Sequence, residues 1–130
     1  MKSFAIFDRE QESHKEIGYL FCYEKKEEYI IELDEGLDEW TAPLLFSKYV
    51  KNGIYTIPKT AARLWVAERV IPSGRQNIGM ILKTHRMSEY KEMKLLSLSG
   101  GQSSQDSCYI KEIKEEQLAD WVRKRQESNV

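Results

Sequence analysis

The chain has 130 residues, 41% hydrophobic and 32% charged, with a formal net charge of −1. This is the length of one domain, and such a chain can bury a core without a disulfide or metal to hold it. The balanced charge gives no bulk attraction to nucleic acid or an anionic membrane, and no stretch approaches the ~18 apolar residues of a membrane span.

Residues 4–7, Phe-Ala-Ile-Phe, fit a buried strand, and residues 8–15 are polar and read as a loop. Residues 17–23 alternate, with Ile17, Tyr19, Phe21 and Tyr23 on one face. Residues 24–27 form a charged turn, and residues 28–33 alternate again through Tyr29, Ile31 and Leu33. Period-two alternation on both sides of a short turn is a hairpin signal, so the N-terminal third is expected to be a small antiparallel sheet.

The periodicity then becomes helical. Pro43 suits the first turn of a short helix through Leu44, Leu45, Tyr49 and Val50, ended by Asn52-Gly53. Thr56-Ile57-Pro58 predicts the start of a second helix running to about Val70. Pro72 interrupts it, and Ser73-Gly74-Arg75-Gln76 has capping-box spacing ahead of Ile78, Ile81 and Leu82. Ser88 can cap a further helix that buries Tyr90, Met93, Leu96 and Leu95, with Gly100-Gly101 as its stop. Residues 107–113 read as a returning strand. Residues 115–126 read as a closing helix with Leu118, Trp121 and Val122 buried and its basic residues last, as the helix dipole favours. The expectation is an α+β fold: a small antiparallel sheet packed with four to five helices in one domain over residues 1–126, with residues 127–130 a frayed tail.

The search for chemistry gives little. His14 and His85 have no second His or Cys at ligand spacing, so neither a metal nor a cofactor is expected. The carboxylates of residues 24–39 lie on a turn or on the wet side of a strand. Gly100-Gly101 opens no helix that could hold phosphate. No nucleophile elbow, Walker loop or kinase catalytic set is present, and the expectation is a chain without catalytic residues. Cys22 and Cys108 read as small core residues of a reduced compartment, and Met1-Lys2-Ser3-Phe4-Ala5 lacks the apolar run of a signal peptide. A cytoplasmic location follows as the expectation.

Charge is unevenly placed, acidic over residues 24–39 and basic over residues 41–94. Solvated faces explain this, as does a basic surface for an acidic partner. Trp65, flanked by Arg63, Glu68 and Arg69, is either a core residue of its helix or, with Arg69 and Arg75, an interface anchor at the proline-made corner. Trp40, after an acidic run, is the next candidate contact.

In order along the chain, Gly18-Tyr19-Leu20, residues 28–33, Pro43-Leu44, Val70-Ile71-Pro72-Ser73-Gly74-Arg75, Glu89-Tyr90, Leu95-Leu96 and Gly100-Gly101 through Cys108 and Ile110 form a series. This series resembles the N-terminal subdomain of HipA-type serine/threonine kinases over about residues 16–113. Two features depart from that family. Ser107-Cys108-Tyr109 stands where a Gly-Ala-type close is usual, and a charged segment follows in place of a kinase domain. The resemblance implies a stand-alone, HipS-like binding module. It would dock on a separate HipA-like kinase subunit of a toxin–antitoxin unit and regulate or inhibit it, meeting a DNA-binding antitoxin only through that complex. The alternative is a small α+β nucleic-acid-binding protein, or an immunity or adaptor protein unrelated to kinases. Against direct nucleic-acid binding stands the lack of a recognisable reading motif.

Overall fold

The computed structural model describes residues 2–11, 16–70, 74, 76–103 and 106–114. Three strands come first: β1 (Lys2–Asp8), β2 (Glu16–Tyr23) and β3 (Glu28–Leu33). The helix α1 (Ser47–Lys51) and a two-residue strand β4 (Thr56–Ile57) follow. Then come α2 (Lys59–Ala67), α3 (Ile78–Thr84), α4 (Glu92–Ser99) and the returning strand β5 (Cys108–Glu112). The strands form one antiparallel sheet in the order β4-β3-β2-β1-β5, so the described residues make an α+β domain with four helices.

The hairpins are as the alternation predicts, and it is the Leu20–Cys22 face of β2 that packs into the core. Leu20 and Cys22 are fully buried in the core, whereas on the opposite face Tyr19 is buried and Phe21 and Tyr23 are half-buried. Both faces of β2 are apolar, so alternation alone cannot choose between them. Pairing decides it, because Leu20 stands opposite Phe4 and Ile31, and Cys22 opposite Tyr29. The β1–β2 register slips between Ile6 and Phe7, so that Ile17 has no opposite number in β1. Such a bulge bends the strand locally, and Ile17 joins the core cluster despite its odd position.

The helices cover the face that carries Phe4, Ile6, Leu20, Ile31, Leu33 and Ile110. In α2 the buried residues are Ala61, Ala62, Trp65 and Val66, the spacing of one helical stripe. Thr56 and Ile57 are not the start of this helix. They pair with Glu32 and Ile31 at the sheet edge, and Pro58, whose fixed φ suits the entry, directly precedes α2. The predicted helix start at Ser73 lies outside the described residues, and α3 begins later, with Asn77 before Ile78. Helix α4 carries Leu95 and Leu96 into the core and ends on Gly100 in the left-handed region at φ 68°, as the glycine pair predicts. The predicted closing helix at 115–126 lies outside the described residues.

Candidate functional site

Trp65 has no exposed surface and its ring lies 6.2 Å from that of Phe46. Arg69 is 4% exposed. Its guanidinium carbon sits 3.5 Å from the centre of the Trp65 ring, and Nη1 donates to the Trp65 carbonyl at 3.0 Å. Nη2 donates to both carboxylate oxygens of Asp106, which also accepts the Cys108 backbone N–H at 2.9 Å. The cluster thus ties the C-terminal end of α2 to the start of β5. Neither Trp65 nor Arg69 presents a surface to a partner, which corrects their assignment as interface anchors. The apolar stripe of α2 turns Trp65 inward, Arg69 just beyond the helix stacks on its ring, and the buried cation takes its counter-charge from Asp106, with Glu68 3.9 Å from Nη1. Arg75 lies outside the described residues.

Trp40 is placed differently. It is 86% exposed, and Leu44, four residues on, is 90% exposed. Both line an open depression of about 610 Å³ together with Glu39, Ala42, Lys48 and Lys51. The loop beneath them is held by Asp38. Its Oδ1 accepts the N–H groups of Trp40 and Thr41, both at 2.9 Å, while Thr41 Oγ1 accepts the Asp38 N–H at 2.9 Å. The Thr41 and Trp40 amides hold the Asp38 carboxyl below its usual range. Gln11 braces the loop from outside, with its side-chain amide donating to the Thr41 carbonyl. Behind the loop, Phe46 and Val50 are buried and fix α1 to the core. A large aromatic ring is therefore projected into solvent from a backbone with little freedom left to lose. Lys48 and Lys51 lie exposed along α1, and Lys51 reaches Glu39 at 3.8 Å. Sequence reasoning named Trp40 as a second choice and counted Lys48 and Lys51 only within the broad basic segment 41–94, without joining them or Leu44 to Trp40. A signal that could have joined them is the four-residue spacing of Trp40, Leu44 and Lys48, which begins before the helix does.

A second concavity, about 850 Å³, opens between the β2–β3 turn, α2 and α4. The Tyr29 hydroxyl lies there and donates to Glu92 at 2.6 Å. Burial, then the bond to Glu92, pushes the Tyr29 proton loss well above its ordinary range. Arg63, Lys91 and Lys94 stand around it with Glu24 and Glu27, so no single charge dominates. Tyr29 is held protonated, and both thiols are buried with their proton loss pushed up to about 12, so none of these groups is an activated nucleophile. Among the described residues no three His, Cys, Asp or Glu side chains come together as a metal site.

Compared with protein-family models, with curated proteins and with solved structures, the chain matches none.

Proposed function

We propose that this chain is a protein-binding module that docks through the Trp40–Leu44 surface on a separate HipA-like kinase subunit and restrains it. The observation that carries the docking surface is the exposure of Trp40 and Leu44 side by side on a loop braced by Asp38. Leaving a tryptophan and a leucine in water forgoes several kcal/mol of burial, on the order of 1.5–3 for the leucine alone. Tryptophan is the residue most enriched where partners bind, and a pre-ordered loop lowers the entropy lost on docking. The series of short motifs shared with HipA N-terminal subdomains supports a kinase as the partner, since in that family the subdomain packs on the kinase core.

The test is calorimetric titration of the protein into the catalytic domain of a HipA-like kinase from the same genome, alongside a phosphorylation assay. Trp40→Ala is expected to weaken binding by about 2 kcal/mol, roughly 30-fold, with circular dichroism unchanged because the side chain is outside the core. Absence of binding by the unaltered protein would reject the kinase. Full-strength binding by both Trp40→Ala and Leu44→Ala would reject the surface.

A further inference from the structure

We propose that the Trp40 surface also pairs two copies of this chain about a two-fold axis, so that the free protein closes its own docking site. The inference rests on the reading of that surface as a docking site and adds its regulation. A two-fold interface must be complementary to itself, because each residue meets the same patch on the other copy. This patch meets the requirement in shape and charge. In shape, Trp40 is a protruding ring beside a depression walled by Ala42 and Leu44, a knob next to a hole. In charge, Lys48 and Lys51 line the depression from α1, and Glu39 lines it from the loop before Trp40. Rotation by a half turn sets the lysines of one copy against Glu39 of the second and brings the two apolar centres together. Lys51 and Glu39, both lining the depression, pair at 3.8 Å within one copy. An exposed pair of this kind is worth little, so exchanging it for the same pair between copies carries almost no penalty.

Size sets the strength. Two tryptophans burying ~150–250 Å² each, with Leu44 and the lysine stems around them, reach at most the low end of specific interfaces, about 1,200 Å². The dimer is therefore weak and exchanging, and a partner with a deeper pocket for Trp40 displaces the second copy. Binding of the kinase and self-association become mutually exclusive.

Sedimentation velocity on the protein alone, from micromolar to millimolar concentration, reads this directly. A monomer–dimer shift is expected, weakened by added salt. Trp40→Ala should remain monomeric throughout. Lys48→Glu should weaken the dimer about tenfold by facing Glu39 of the other copy, and the double variant Lys48→Glu with Glu39→Lys should restore it. A mere loss of side-chain packing would not be rescued in that way. A wild-type monomer at millimolar concentration overturns the inference, as does a dimer indifferent to Trp40→Ala and to the charge reversal. Kinase binding is scored separately at concentrations where the protein is monomeric. A dimer without kinase binding then sinks the docking partner alone, and kinase binding without a dimer sinks the two-fold alone.

Discussion

A guanidinium with no exposed surface is tolerated only where another charge answers it, and at Arg69 that charge comes from Asp106, 37 residues away. Glu68 also stands 3.9 Å from Nη1, so truncating Asp106 leaves the buried guanidinium with that longer pair alone, a loss that approaches the roughly 3–5 kcal/mol of a broken buried pair without reaching a fully uncompensated charge. Asp106→Ala is therefore expected to lower the urea midpoint severely. The double change Arg69→Met with Asp106→Leu should recover much of the loss, because it removes both charges. Equal instability of the single and double variants would show that the ion pair is not the cause. The two thiols give a second prediction. Burial raises the proton loss of Cys22 and of Cys108 from 9.0 to about 12, with Asp106 the next cause at Cys108. In the unfolded chain they ionise near 9, so between about pH 9 and 12 the folded state binds more protons than the unfolded one. Their contribution to stability is complete below pH 9 and is lost as pH rises toward 12. Denaturation midpoints should be flat from pH 7 to 8.5 and fall above it, and Cys22→Ala with Cys108→Ala should blunt that fall. At this scale the sequence was only half legible. Trp65 and Trp40 both stand beside charged neighbours. What separates them is that Trp65 lies on the Ala61–Ala62–Val66 stripe of a real helix, while Trp40 lies on a loop whose Asp38 bonds turn it outward.

At the level of elements, the passage from α4 to β5 turns on two glycines with φ of 68° and 66°. They differ in surroundings. A Cβ on Gly100 would meet open space apart from the Gln102 side chain at 3.9 Å, whereas one on Gly101 would lie 2.6 Å from Ile110 Cγ1. The Gly100 carbonyl also accepts the Ile110 N–H at 2.8 Å, so the turn and the edge strand are joined. Gly100→Ala should cost about 1–2 kcal/mol, the ordinary penalty of a left-handed alanine. Gly101→Ala should cost clearly more, because Ile110 must also move. Equal thermal shifts for the two would contradict the packing. The first three strands, the returning strand and the glycine stop were readable, because each depends on local periodicity or on one backbone conformation. What was not readable depends on distant partners. Thr56–Ile57 looks like a helix entry until β3 offers it an edge, and the inward face of β2 is set by its neighbours Phe4 and Ile31.

Across the whole molecule, stability should be graded, and the grading bears on where a partner can dock. The sheet and α2 share one core, with Trp65, Val66, Leu20 and Ile31 all fully buried. Helix α1 is short but anchored by Phe46 and Val50. Helix α3 has seven residues, none of them fully buried, and no side-chain cap. A helix of that length is not stable alone in water, so it holds only as well as its packing allows. Hydrogen exchange should therefore open α3 by a local event. Residues 81–84 should exchange at least ~100-fold faster than the α2 amides, which should wait for global unfolding. The bonded amides at the end of α1, Val50 and Asn52, should fall between the two, since their carbonyl partners belong to a helix fixed to the core. Equal protection in α3 and α2 would mean that α3 belongs to the same cooperative unit. Protection in α1 no greater than in α3 would remove the rigid base that makes Trp40 a pre-ordered anchor, and with it the main physical reason for placing the docking surface there.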